Sequence, residues 1–200
     1  MRKFLWMICC SVLLFACGQK SSDSAEANNA EVATADSSLN EPVYPFTQYL
    51  QGQMEYIDST PIAVERIVRI NGTTIDSGYM EKPAFKKAMA FLISVDPNTT
   101  ALRSKYKEES FHDLSIPSLT FSITSIDPNL PLQQADILLH PETKIVKNVM
   151  LKFTNTNTDS SVMQRVLWDH NMKCQVVEIV EPTNGKPYTK ITQYIWDRPF

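Results

Sequence analysis

From Ser115 to the end of the chain, apolar side chains recur at every second position, and the breaks between the runs are only a few residues long. This pattern constrains the fold more than any other. Period two belongs to the β-strand, whose successive side chains leave on opposite faces. Connections this short cannot carry a crossover, so each strand must run antiparallel to the one before it. Leu119, Phe121 and Ile123 alternate with Thr120, Ser122 and Thr124. Further strands are predicted at 134–140, 145–154, 161–169, 173–181 and 188–197. The breaks fall at Pro141-Glu142-Thr143-Lys144, at 155–160, at His170-Asn171, and at 182–187 with its Asn184-Gly185. These are residue types that favour turns.

Upstream the period is mostly 3.6. Pro45 suits the first turn of a helix. Phe46, Tyr49, Leu50, Gln53, Met54 and Ile57 then form one stripe, which Pro61 stops. Ile62, Val64, Val68 and Ile70 alternate, with Arg66 as the exception, so 62–70 reads as a strand. Asn71-Gly72 is a hairpin signal, and 73–80 is a weaker return strand. Pro83 opens a second helix with Phe85, Ala88, Met89, Leu92 and Val95 on its stripe, ended by Asp96-Pro97. A third helical piece is expected at 99–111, with Leu102 and Tyr106 inward. The expected fold is α+β: two or three N-terminal helices packed on an antiparallel meander sheet of about five to six strands, in one domain spanning 44–200.

The chain begins differently. Arg2 and Lys3 precede an apolar run from Phe4 to Ala16, broken only by Ser11. That run is short for a membrane span, which needs about 20 residues. It has the tripartite layout of a secretory signal. Leu14-Phe15-Ala16-Cys17 resembles a bacterial lipobox, with Leu at −3, Ala at −1 and Cys at +1; Phe15 at −2 departs from the smaller residues commoner there. The resemblance implies cleavage between Ala16 and Cys17, diacylglyceryl and acyl (palmitate-type) chains on Cys17, and a lipid-anchored protein of the cell envelope. It covers only the start of the chain and implies no activity. Gly18 stands where an Asp would resemble an inner-membrane retention signal, which favours the outer membrane, facing periplasm or exterior. Two or three acyl chains give persistent attachment, at about 0.8 kcal/mol per buried CH₂. Residues 18–43 carry five acids, five Ser and five Ala with one Lys, and read as a disordered acidic tether.

The net charge of −3 is concentrated in that tether. Residues 44–200 hold 16 basic and 17 acidic side chains. No basic surplus points to nucleic acid, and the membrane is expected as a partner through the lipid on Cys17. Five Gly leave no glycine-rich phosphate loop, and no Gly-x-Ser-x-Gly elbow occurs. His112, His140 and His170 have no ligand-type spacing to another His or Cys, so no metal and no cofactor are expected. Glu108, Glu109, His112 and Asp113 form the one acid–base cluster in the sequence, or else a solvated helix end. Cys174 is the thiol left after processing. At an apolar-phase position it reads as a buried structural residue; the other reading is a reactive thiol.

Several strands are apolar on both faces. Cys174, Val176 and Val180 oppose Val177 and Ile179; Tyr188, Tyr194 and Trp196 oppose Ile191 and Ile195; Val149, Leu151 and Phe153 oppose Val146 and Met150. A sheet wet on one face is polar there. The second face is therefore either covered by the same chain or left as an apolar surface. Trp168, Val177, Ile179, Tyr188, Tyr194 and Trp196 are the expected ligand or partner surface; the aromatics among them suit a core equally well. Three functions follow. The leading one is a non-catalytic binding or accessory lipoprotein with an envelope partner. The second is a carrier of an apolar ligand in a helix-covered cavity, on architectural resemblance to lipoprotein-localisation carriers. The third is an enzyme using the 108–113 cluster.

Overall fold

The computed structural model describes residues 41–113, 115 and 117–196. The expected signal, lipobox and nearly all of the expected tether lie outside these residues.

Helix α1 (Phe46–Ser59) follows Pro45 and buries Phe46, Leu50, Met54 and Ile57. Strands β1 (Val64–Ile70) and β2 (Thr73–Met80) form a hairpin. Its turn residues Asn71 and Gly72 have φ of 48° and 84°, the left-handed pair that a tight hairpin requires. Helix α2 (Lys82–Met89) has Pro in its first turn and runs into a 3₁₀ turn at Ala90–Ile93. Seven more strands follow: β3 (Tyr106–Asp113), β4 (Ser118–Ser125), β5 (Leu132–Leu139), β6 (Val146–Thr156), β7 (Ser160–Asp169), β8 (Lys173–Pro182) and β9 (Tyr188–Ile195).

The result is one antiparallel sheet of nine strands in the order β2-β1-β9-β8-β7-β6-β5-β4-β3. This corrects the expected α+β meander of five to six strands under two or three helices. Two differences account for it. The third helix does not form: a 3₁₀ turn at Arg103–Lys105 leads into β3, where Tyr106, Glu108, Ser110 and His112 alternate with Lys107, Glu109 and Phe111. Leu102 and Tyr106 stand four apart, which fits a helical stripe, but pairing with β4 over all eight positions of β3 outweighs that local preference. Second, β9 turns back to pair with β1, from Glu65↔Ile195 to Ile70↔Lys190. The early hairpin therefore belongs to the same sheet. Asn71 reinforces the junction, donating its N–H to the Thr189 carbonyl at 2.9 Å and accepting the Thr189 N–H on Oδ1 at 2.9 Å.

The core lies between α1, α2 and one face of the sheet. Phe121, Ile137, Val149, Trp168, Cys174 and Tyr194 occupy successive strands in register. Phe85 of α2 sits over the aromatic end of this row, with ring centroids 5.6 Å from Tyr194, 5.8 Å from Trp196 and 6.4 Å from Trp168. Leu50, Phe85, Leu92, Ile137 and Trp168 are at most 1% exposed. The packed body already includes Val43, whose N–H and C=O are both taken by the Asn98 side chain at 2.9 and 3.0 Å. Tyr44 stacks on Phe121 at 5.1 Å.

Candidate binding face

The expected surface residues divide between three places. Trp168, Tyr194 and Trp196 are core, at 0%, 7% and 4% exposure. Trp168 and Trp196 pack at 5.1 Å, neither indole N–H has a hydrogen-bond partner among the described residues, and their burial keeps all three rings off the surface. Tyr188 is 37% exposed and stands beside Val180 and Val162 at the far end of the helix-side face. Val177 and Ile179 point to the opposite face.

Among the described residues that opposite face has no helix or loop layered on it. Strand alternation places there Ile67, Leu138, Met150, Met163, Leu167, Val177, Ile191 and Ile195, interspersed with polar side chains. At its centre is a hollow of about 430 Å³ lined by Gln134, Asp136, Met150, Lys152, Arg165, Leu167, Gln175 and Val177 along β5 to β8. Met150 is 45% exposed. Under the helices, where a carrier's cavity was expected, Leu50, Phe85, Leu92, Ile137 and Trp168 belong to one buried cluster.

The polar groups of the hollow have distinct roles. Asp136 accepts the Ser122 hydroxyl at 2.6 Å and the Gln134 amide at 2.8 Å. Gln193, next to Gln175 on β9, donates to its Oε1 at 2.8 Å and accepts Arg69 Nη1 at 2.7 Å. Lys152 and Arg165 stand directly opposite each other across β6 and β7. The ion pairs of the described residues use Arg66, Lys86, Lys105, Lys107, Lys173 and Lys190, and neither of these two cations.

Sequence reasoning found Val177 and Met150 but missed Lys152, Arg165, Leu167 and Gln175. Their parity along β6, β7 and β8 was the available signal. Reading Val146 on the Met150 face was an error with a physical cause. The register shifts between Leu138 and Leu139, pairing Leu138 with Asn148 and Leu139 with Val146. A bulge of this kind reverses side-chain parity, and Val146 is core at 5% exposure.

The acid–base residues do not converge. Glu108 and His112 lie on the helix-side face of β3, paired with Ile123 and Leu119, while Glu109 and Asp113 lie on the other. Glu108 Oε2 accepts the Tyr44 N–H at 2.5 Å. Burial raises the Glu108 carboxyl above its ordinary value, against the lowering effects of that hydrogen bond and of Arg103. Glu109 accepts Lys107 Nζ at 2.9 Å, and Asp113 caps Ser115. Tyr49 Oη and His170 Nδ1 share a hydrogen bond at 2.7 Å. Among the described residues no group of three His, Cys, Asp or Glu is placed to hold a metal. Cys174 is fully buried, and burial pushes its thiol far above the usual range, which suppresses the thiolate that reactivity needs.

Arg103, 9% exposed, has no hydrogen-bond partner at Nε, Nη1 or Nη2 among the described residues. It lines a hollow of about 410 Å³ with Pro42, Asn98, Thr100 and Ser104. A polar hollow of that size has room for the water a buried guanidinium needs.

No protein-family model, no curated protein and no solved structure matches the chain. Among the described residues no helix is long and apolar enough to cross a membrane.

Proposed function

We propose that this chain is a lipid-anchored protein of the cell envelope that binds a partner or ligand through the open face of its sheet and does not transform it. The observation that carries the reading is the asymmetry of the sheet. One face is filled by α1 and α2; the other carries an apolar-floored hollow with no part of the described chain over it. Exposed apolar surface grouped in this way, rimmed by polar residues, is characteristic of interaction sites. The separation of Glu108 and His112 from Glu109 and Asp113 favours binding over general acid–base chemistry. The anchor rests on Leu14-Phe15-Ala16-Cys17 and its basic and apolar lead. The apolar-ligand alternative moves from the helix-covered side to the open face.

Two measurements test the two halves. Fractionation of a bacterium producing the full chain should place it with the membranes, labelled by an alkynyl fatty acid at Cys17. Cys17→Ser should abolish the label and release the protein. Finding the unmodified protein soluble overturns the anchor. A photo-crosslinking residue at Val177 should give adducts in intact cells that the same residue at exposed Thr183 does not; equal background at both sites overturns the binding face.

A further inference from the structure

We propose that the hollow on the open face holds an anionic single-chain amphiphile of the fatty-acid class, its carboxylate between Lys152 and Arg165 and its chain over Met150, Leu167 and Val177. This rests on the reading of the open face as the binding surface and names what occupies it.

Directly opposed cross-strand residues have their Cβ atoms about 5 Å apart, and like charges there repel. Lys152 and Arg165 are such a pair. Neither has a carboxylate in ion-pair contact among the described residues. Asp136, the acid in the lining, is turned to Ser122 and Gln134. An anion bridging the pair removes the repulsion and gains charge-assisted hydrogen bonds from both donors. The rest of the site sets the remainder of the ligand. Beside the cations lie Met150 and Leu167, facing each other across β6 and β7, and Val177, facing Arg165 across β8. A ligand that satisfies both halves is charged at one end and apolar beyond it. The volume of about 430 Å³ falls in the range of small-ligand sites, roughly 300 to 1,000 Å³. Met150, flexible and polarisable, suits a chain of variable shape.

Two other occupants fit less well. A second copy packed face to face about a two-fold axis would bring Lys152 and Arg165 towards the same cations of its partner. The acidic segment 18–42 supplies carboxylates, but Val32 and Leu39 are its only large apolar residues, too few for the apolar floor.

The test uses unfractionated lysate of cells producing the full chain, so that its outcome does not depend on where the protein resides. The probe is a palmitate analogue with a mid-chain diazirine and a terminal alkyne. After irradiation, peptide mapping should place the label in β6, β7 or β8 at or beside Met150, Leu167 or Val177. Unlabelled palmitate should compete, and palmityl alcohol should compete about tenfold less well or worse. K152E/R165E should cut labelling by about tenfold or more. K152M/R165M, which keeps the side-chain bulk, should erase the preference for acid over alcohol. Label spread across the chain, equal competition by the alcohol, or indifference to both double variants overturns the proposal. Adducts joining the face to 18–42 or to a second copy overturn it as well. If the palmitate probe fails while a crosslinker at Val177 still captures a macromolecule, the open face remains a binding surface and only the ligand assignment falls. If both fail, the broader reading falls with it.

Discussion

Single residues on the helix-side face show burial setting chemistry. Cys174 faces Trp168 and Tyr194 across its two neighbouring strands, and its thiol is held protonated by desolvation. A maleimide should leave it unlabelled at neutral pH in the native protein and label it in urea. Cys174→Ser leaves a buried hydroxyl without a planned partner and should lower unfolding free energy by about 1–3 kcal/mol in a denaturant titration. Glu108 behaves in the opposite sense to an ion-paired carboxylate. Its folded pKa is raised by burial, so the folded state binds the proton more tightly than the unfolded chain. Its contribution is present in full below the unfolded value, near 4.5, and is lost as pH rises through the folded value. Glu108→Gln keeps an acceptor for the Tyr44 N–H and removes the titration. Thermal melts between pH 4 and 7 should show a flatter dependence for the variant. An unchanged slope would place the pH sensitivity on other groups.

At the scale of elements, helices are held by what they cover. Phe85 joins α2 to Trp168, Tyr194 and Trp196 at 1% exposure. Phe85→Ala should cost about 3–5 kcal/mol, read as a large fall in melting temperature with the strand signal otherwise native before melting. The β1–β2 turn depends on backbone conformation instead. Gly72 has φ of 84° with open space where a Cβ would sit. Gly72→Ala should therefore cost about 1 kcal/mol through strain alone. Elements 46–59, 64–70, 83–89 and the six later strands β4 to β9 were legible because their periods are local. Strand β3 was not. Its charged residues and the Leu102–Tyr106 spacing fit a helix until pairing with β4 is available, and hydrogen bonding along a whole neighbour exceeds a weak local preference.

At the scale of the molecule, β2 and β3 are the edge strands of the nine-stranded sheet, with no further strand paired to either among the described residues. Edge β3 carries Lys107, Glu108, Glu109, His112 and Asp113, charges that discourage further pairing. Edge β2 is protected less: its one charged side chain is Asp76, which pairs with Arg66, while Ile75 and Tyr79 are 57% and 78% exposed. Asp76→Val should raise self-association, visible as earlier elution and increased light scattering at fixed concentration. An unchanged monomer would show that the bulge at Val68/Arg69 guards the edge sufficiently.

The sequence by itself determined every strand but β3, the two helices that form, the Asn71-Gly72 turn and the apolar character of two faces, because each is written within a few neighbouring residues. It also carries Leu14-Phe15-Ala16-Cys17, the resemblance to a lipobox on which the proposed anchor rests. Only the tertiary structure decided that β9 closes on β1, that the helices cover the face of Trp168 and, among the described residues, leave that of Val177 open, and that Lys152 stands opposite Arg165. Those are matters of pairing and register between distant segments. A single bulge at Lys147 reverses which side chains are inside, and no local period records it.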